Sequence, residues 1–220
     1  MADAGKRIGL FGGTFDPVHA GHLAIADLAA QELALDQVLF IPAADPPHKK
    51  KTGASYQHRL AMLEIALAQG ADEQDRFAIS LLEAELSVPS YTVDTLLELK
   101  NRFTGQFYFI LGADSLLELH LWYQYHHLLQ LTSFIVISRP GIPLSAMEQA
   151  ITLLPGFFLP DSCGRHWFRT DGAQIILLQN KLRKDISSTL IRQQLRKEKS
   201  LACLHHAVGE YIYQYELYKE

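Results

Sequence analysis

The chain has little cysteine, no long apolar run and no excess of positive charge. Its two cysteines, Cys163 and Cys203, are too few for a disulfide framework and fit a reducing compartment. No apolar run approaches the roughly 20 residues that a membrane span needs, and the opening MADAGKR lacks the apolar core of a signal peptide. The sequence therefore predicts a cytoplasmic protein without a membrane partner.

The charge and composition narrow the class of protein further. The net charge is −4, which gives no general attraction to polyanions, so we expect no nucleic-acid partner. The 220 residues are 48% hydrophobic and 20% charged, an ordinary globular balance that can build one large core. We expect a single domain over residues 1–220. The sequence leaves the oligomeric state open, and a homo-oligomer is compatible with it.

Short apolar runs alternate with helical patterns along most of the chain. Strand-like runs lie at 7–11, 37–43, 76–80, 106–112, 133–138 and 174–179. Helical patterns lie at 23–35, 58–69, 92–103 and 121–131. The runs are not polar at alternate positions, which is typical of strands covered on both faces. The pattern predicts an α/β fold with a doubly wound, mostly parallel sheet.

The pattern changes after the last strand-like run. Residues 187–200 and 204–218 both have helical spacing with no strand between them. They predict a C-terminal helical tail, over 187–220, that belongs to the same domain. Segment 155–173 has no clean period, and we expect a loop or a short helical insertion there.

The string GGTFDPVHAGH at residues 12–22 comes directly after the first strand. Gly12 and Gly13 allow a tight turn and a close approach of the backbone to a ligand. A helix is expected to start near Gly21, with unpaired amides and the positive end of its dipole directed at the same point. The strand-to-helix turn is therefore a candidate anion site.

His19 and His22 lie three residues apart and share a face of the first helical turn. The residues alone allow a surface pair or part of a metal site, although no carboxylate or thiolate stands at ligand spacing nearby. Together with the amides, two imidazoles suit a triphosphate that loses pyrophosphate.

A second string, DISSTLIR at 185–192, opens the first tail helix. Ser187, Ser188 and Thr189 provide hydroxyl groups and a natural N-cap. Arg192 lies about one turn into the helix, where it can reach the same anion. The alternative is a capped helix with a surface arginine.

Polar residues also follow other predicted strands. His48 and Lys49 begin a basic loop that either closes over a phosphate or is solvated surface. Asp114 follows Gly112 at a strand end, where it either accepts hydrogen bonds from a ribose or base or caps a helix. Arg139 ends the fifth strand, where it either pairs with a phosphate or is a turn residue.

The helix at 92–103 and the aromatic stretch LWYQY supply the remaining candidates. Thr92 either contacts a ligand or simply caps its helix. Trp122 and Tyr123 are either core aromatics or cleft residues, and a tryptophan beside a cleft can stack on a cationic pyridinium ring.

The two strings resemble the signature elements of the HxGH nucleotidyltransferase superfamily. The pattern GxFxPxHxGH is present as Gly13, Phe15, Pro17, His19, Gly21 and His22. With ISSTLIR, IPAADPPHKK, VPSYTVDTL, FILGADSLLELHLWYQYHHLL, SRPG and VGEYIYQYELY, the chain resembles bacterial nicotinate-nucleotide adenylyltransferase over nearly its whole length. Segment 155–173 is the weakest match.

The resemblance implies a Rossmann-like nucleotidyltransferase fold and transfer of the adenylyl group of ATP to nicotinate mononucleotide in NAD biosynthesis. It implies Mg²⁺ as cofactor, bound mainly through the ATP phosphates, with no metal held by the protein itself. The catalytic residues it implies are His19, His22 and Arg192. The ATP-binding residues are Gly12, Gly13, Thr14, Phe15, His48, Lys49, Gly112, Asp114, Ser187, Ser188 and Thr189. The mononucleotide-binding residues are Thr92, Trp122, Tyr123 and Arg139.

Three other functions stay open at this point. The enzyme could accept the amidated mononucleotide, alone or as well as the acid. A phosphopantetheine adenylyltransferase shares the superfamily signature but is usually shorter and gives LWYQY no obvious role. A non-catalytic nucleotide sensor would need the glycines but not both imidazoles.

Overall fold

A computed structural model describes residues 5–45, 52–69, 76–86, 91–179, 186–197 and 203–219. The strands are β1 (Arg7–Gly13), β2 (Gln37–Pro42), β3 (Phe77–Ile79), β4 (Gln106–Gly112), β5 (Ser133–Ile137), β6 (Leu159–Pro160), β7 (His166–Phe168) and β8 (Gln174–Leu178). The helices are α1 (Ala20–Glu32), α2 (Tyr56–Gln69), α3 (Leu82–Glu85), α4 (Thr92–Arg102), α5 (Ala113–Leu117), α6 (Tyr125–Leu131), α7 (Leu144–Thr152), α8 (Ser188–Leu195) and α9 (His206–Gln214).

The strands form one sheet in the order β3-β2-β1-β4-β5-β8-β7-β6. The neighbouring pairs from β3 to β8 in this order are all parallel, whereas β7 is antiparallel to both of its neighbours, β8 and β6. The chain winds outward in one direction from β1 and in the other from β4, so the order reverses between these two strands. This confirms the doubly wound, mostly parallel fold, and a crevice at the carboxyl ends of β1 and β4 is where such sheets bind ligands.

Both faces of the sheet are covered, as the uninterrupted apolar strands predicted. Alternate residues of the central strands enter opposite cores: Leu10 of β1 packs into one and its neighbour Phe11 into the other. The first core is completed by α4 to α7 and the second by α1, α2 and α9. The second core includes Val208 and Ile212 of α9, so the C-terminal helical segment packs on the main body of the fold.

The prediction for segment 155–173 was wrong. It contains the antiparallel strands β6 and β7, which extend the sheet beyond β8 and bury Trp167 in the first core. Strands of two and three residues are too short to show a period, which explains why the sequence did not predict them.

The predicted helix at 121–131 begins later than expected. Residues 119–121 form a 3₁₀ turn, and α6 begins only at Tyr125. Gln124 lies between them with a left-handed φ of 50°, which interrupts any continuous helix. The break leaves Trp122 and Tyr123 in a connecting segment beside the sheet crevice.

No helix among the described residues combines the length and apolar character that crossing a bilayer requires.

Candidate active site

A cleft of about 580 Å³ opens at the carboxyl ends of β1 and β4, where the strand order reverses. It brings together all sixteen of the predicted site residues that the structure describes. The cleft is lined in part by Gly12, Gly13, Thr14, Phe15, His19, His22, Thr92, Gly112, Asp114, Trp122, Tyr123, Arg139, Ser187, Ser188, Thr189 and Arg192. Residues far apart in sequence therefore share one cavity.

Two buried side chains, Phe15 and Arg59, support the turn that follows β1. Phe15 has a left-handed φ of 47° and is only 2% exposed, so its ring forms the floor of the cleft. Arg59 of α2, itself buried, donates from Nη1 to the Thr14 carbonyl at 2.6 Å and from Nη2 to the Ala43 carbonyl at 2.8 Å. These bonds tie the turn to the end of β2 and fix its backbone at the cleft.

His19 and His22 stack on each other at the start of α1. Their ring centroids are 3.7 Å apart with an interplanar angle of 28°. The His19 backbone N–H donates to His22 Nδ1 at 3.2 Å. Because that nitrogen accepts a hydrogen bond, the neutral His22 ring carries its proton on Nε2. The ring of Phe15 packs edge-on against His22 at 5.1 Å and holds its orientation.

His19 is buried and sits in an electrostatically positive environment. Burial, followed by the positive charge of Arg139, lowers the pKa of His19 from 6.5 to about 4. The ring is therefore neutral at physiological pH. Its Nδ1 has no hydrogen-bond partner although it is buried.

The expectation of a row of unpaired amides at the start of α1 needs correction. The Ala20 N–H donates to the Cys203 carbonyl at 3.0 Å, and the His22 N–H donates to the His19 carbonyl at 2.9 Å. The segment that leads into α9 thus satisfies one amide, and a tight turn satisfies another. The helix dipole remains, but these two donors are already engaged.

The start of α8 lies against the same turn, as the second string predicted. Ser187 caps the helix by accepting from the Leu190 N–H at 3.3 Å. Ser188 Oγ donates to the Pro17 carbonyl at 3.0 Å, which joins the helix to the first motif. Arg192 also reaches the motif: its Nη1 donates to the Asp16 carbonyl at 2.6 Å.

The other end of the cleft is aromatic. Trp122 is half-buried, and its ring meets Phe109 edge-on at 6.0 Å. Tyr123 is exposed, and its ring lies against Tyr91 at 4.4 Å. Thr92 is the first residue of α4, so the start of this helix also borders the aromatic end. The arrangement can hold a flat ring next to helix-start donors.

Asp114 and Arg139 pair with each other across the middle of the cleft. Arg139 Nε lies 3.2 Å from Asp114 Oδ1, and both side chains are about half exposed. A Cβ on Gly112 would lie 2.4 Å from that carboxylate oxygen and 3.0 Å from Arg139 Nε. Gly112 therefore makes room for the pair. Being exposed, the two side chains can turn from each other to a ligand at little cost.

Two predicted ATP-binding residues, His48 and Lys49, lie outside the described residues. Within the described ranges no three histidine, cysteine, aspartate or glutamate side chains come close enough together to hold a metal ion. The cleft instead offers imidazole and guanidinium groups, and these suit phosphate oxygens.

Comparison with known proteins agrees with this geometry. The cytidylyltransferase-like family profile matches residues 10–194. A "probable nicotinate-nucleotide adenylyltransferase" of Syntrophotalea carbinolica is 36% identical over 97% of each chain. The protein of that name from Trichlorobacter lovleyi is 39% identical over 90% of this chain and 92% of its own. The chain belongs to the nicotinate-nucleotide adenylyltransferase family.

A solved structure of the family has the same fold. The nicotinic acid mononucleotide adenylyltransferase of Plasmodium falciparum, complexed with NaAD, superposes with a TM-score of 0.76 over 97% of both chains. Its sequence identity of 22% is low, so this similarity bears on the fold alone.

Several residues that shape the cleft were not predicted from the sequence. Asp16 is buried within the first motif, where its carboxylate accepts hydrogen bonds from two other segments, Gly53–Ala54 and Tyr218. Arg59 supports the motif turn from α2. Glu83 and Tyr91 line the aromatic end. Asp16 stands inside the first motif, so its position could have suggested a role; Arg59 stands in an ordinary helical pattern and carries no such signal.

Proposed function

We propose that the protein transfers the adenylyl group of ATP to nicotinate mononucleotide, which gives nicotinate adenine dinucleotide and pyrophosphate. One observation carries the proposal: a single cleft has imidazole and guanidinium groups at one end and aromatic side chains beside a helix start at the other. The names of the curated relatives agree with it. The turn after β1 lines the cleft and Tyr218 supports it from the C-terminal part of the described chain, so we propose that residues 1–220 act as one domain.

In the proposal, ATP occupies the end formed by the first motif and α8. His19 and His22 face the bridging and terminal phosphate oxygens. Arg192 supplies a fixed positive charge, and the hydroxyl groups of Ser187 to Thr189 lie beside it. Asp114, released from Arg139, accepts hydrogen bonds from the adenosine. The proposal also assigns contacts with the ATP phosphates to His48 and Lys49, which lie outside the described residues.

The reaction needs positioning more than proton transfer. An oxygen of the mononucleotide 5′-phosphate attacks the α-phosphorus of ATP and forms the new P–O bond. The bond from the α-phosphorus to the bridging oxygen breaks, and pyrophosphate leaves with the electron pair. Because the attacking group is already an anion, no general base is required. The histidines stabilise the charge that develops on the leaving group.

The neutral state of His19 fits this role. A ring with a pKa of about 4 binds ATP as a hydrogen-bond donor or acceptor rather than as a cation. Arg139 and Arg192 provide the full positive charges of the cleft instead. We include Mg²⁺ in the proposal as an ion carried by the ATP phosphates, where it neutralises charge. The donor-rich lining leaves metal coordination to the phosphates and water.

The aromatic end is proposed to select the nicotinate ring. Trp122 offers a face to the cationic pyridinium. The carboxylate of nicotinate is proposed to lie at the start of α4, where the first helical N–H groups have no partner within the helix and the helix dipole favours an anion. A carboxamide would direct its NH₂ at one of these donors and leave an unsatisfied pair, at a cost of about 1–3 kcal/mol. Preference for the acid is therefore expected to be about 5- to 150-fold in kcat/KM.

Pyrophosphate release with ATP and a panel of acceptors tests the proposal. The panel contains nicotinate mononucleotide, nicotinamide mononucleotide, phosphopantetheine and no acceptor. We expect release to be fastest with nicotinate mononucleotide. Equal kcat/KM for the two mononucleotides would make the enzyme dual-specific, and release with phosphopantetheine alone would reassign the substrate. ATP binding without release under any condition would support the sensor function.

A further inference from the structure

The structure contains a buried polar junction beneath the phosphate end of the cleft, on the side away from the substrates. Its centre is Asp16, which is only 2% exposed. Asp16 Oδ1 accepts from the Tyr218 hydroxyl at 2.7 Å and from the Ala54 N–H at 3.1 Å. Its Oδ2 accepts from the Gly53 N–H at 2.7 Å. One carboxylate therefore joins three segments separated by up to 202 residues in sequence.

The junction also touches the proposed phosphate ligand Arg192. Arg192 Nη1 donates to the Asp16 carbonyl at 2.6 Å and lies 3.7 Å from Asp16 Oδ2. Its Nη2 is 3.4 Å from Thr189 Oγ1. These contacts hold the guanidinium from one edge and set the direction in which it faces the cleft. The position of Arg192 thus depends on the position of Asp16.

Tyr218 is built into this junction rather than placed there by chance packing. Its φ of 65° is left-handed, as is the φ of 51° at Glu216, and both conformations are unfavourable for residues other than glycine. They turn the chain after α9 so that the Tyr218 ring enters the second core. Burial and the Asp16 carboxylate raise the pKa of the Tyr218 hydroxyl, so it stays a protonated donor throughout the working pH range.

Gly53 packs closely against both Arg192 and Tyr218. A Cβ at this position would lie 2.8 Å from Arg192 Cδ and 2.8 Å from Tyr218 Cε1. Arg192 and Tyr218 therefore both pack against Gly53, whose N–H donates to Asp16.

We infer that Tyr218 is a positioning residue for adenylyl transfer, whose hydroxyl holds Asp16 and through it the Arg192 guanidinium at the ATP phosphates. The effect on catalysis rests on the proposed function. The contacts of Tyr218, Asp16 and Arg192 themselves bear only on the binding of ATP. Tyr218 lies beneath the phosphate end of the cleft, so it acts on ATP and not on the mononucleotide.

The test is Tyr218→Phe, which removes the hydroxyl and keeps the buried ring. We expect the Kd for ATP, measured by calorimetry, and the KM for ATP to rise about tenfold, the scale of one hydrogen bond to a charged group. The KM for the mononucleotide should stay at the wild-type value. Tyr213→Phe is the matched control, because Tyr213 lies on α9 with a side chain that is 80% exposed; it should change neither constant.

A double-mutant cycle with Arg192→Ala separates positioning from a general structural effect. If Tyr218 acts through Arg192, the tenfold effect of Tyr218→Phe on ATP binding should disappear when Arg192 is absent. A lower melting temperature with an unchanged Kd for ATP would overturn the inference, as would full additivity of the two substitutions. Failure of the proposed function would show instead in the wild type, as ATP binding without transfer to the mononucleotide.

Discussion

Gly21→Ala separates catalytic geometry from stability in the first motif. A Cβ at Gly21 would lie 3.0 Å from His19 Nδ1 and 3.1 Å from His19 Cε1. These separations are shorter than ordinary contact, so the imidazole must move by a few tenths of an ångström. It cannot move freely, because it stacks on His22 at 3.7 Å. The substitution therefore displaces a proposed catalytic ring without removing it.

The expected loss of rate follows from the size of the displacement. A misplacement of about 1 Å can cost about 100-fold, so a few tenths of an ångström should lower kcat roughly tenfold. His19→Ala sets the scale for complete loss, about 100-fold or more. Stability should change little, because alanine has a higher helix propensity than glycine and offsets part of the strain.

The assay measures kcat and melting temperature on the same preparations of wild type, Gly21→Ala and Gly209→Ala. Gly209 is the matched control: it is a glycine of α9, and a Cβ there would meet nothing within 4 Å. Gly209→Ala should stabilise the protein by about 0.5–1 kcal/mol and leave kcat unchanged. A folded Gly21→Ala enzyme with the wild-type kcat would refute the reasoning that the His19 position matters for the reaction.

Two further predictions concern Trp122 and the titration of His19. Trp122→Ala should raise the KM for nicotinate mononucleotide roughly tenfold and leave the KM for ATP unchanged, because the ring is proposed to stack on the pyridinium; a lower melting temperature with both constants unchanged would assign Trp122 to the core instead. His19 has a folded pKa of about 4, below its unfolded value of 6.5, so its contribution to stability is complete above pH 6.5 and is lost as the pH falls towards 4. Urea unfolding of the wild type should therefore show about 2 kcal/mol more loss between pH 7.5 and 5 than His19→Gln, and equal losses would contradict the shift.

The sheet could be predicted from the sequence because its strands are long and apolar on both faces. Strands such as β4 and β5 show this pattern clearly, and the helices between them have a visible period. The additional strands β6 and β7 could not be predicted, since two or three residues carry no period. The predicted start of α6 was also too early, because glutamine is not a residue type that indicates a left-handed conformation, which Gln124 adopts.

The candidate site also has one part that the sequence could predict and another part that it could not. Its cleft-facing residues stand in recognisable strings, and the fold brings those that are described into one cavity. The supporting contacts depend on tertiary structure: Arg59 crosses from α2 to the Thr14 carbonyl, and Tyr218 reaches Asp16 from the other end of the chain. The hydrogen bond of the Ala20 N–H also depends on tertiary structure, because its acceptor is the carbonyl of the distant Cys203.

The most direct test of the proposed reaction follows the phosphorus atoms of ATP. Purified wild-type protein is incubated with nicotinate mononucleotide and Mg²⁺, and with ATP labelled at either the α- or the γ-phosphate. Adenylyl transfer predicts that the α-label enters nicotinate adenine dinucleotide and that the γ-label leaves in pyrophosphate. Release of the γ-label as inorganic phosphate, with no labelled dinucleotide from the α-labelled ATP, would contradict the assignment.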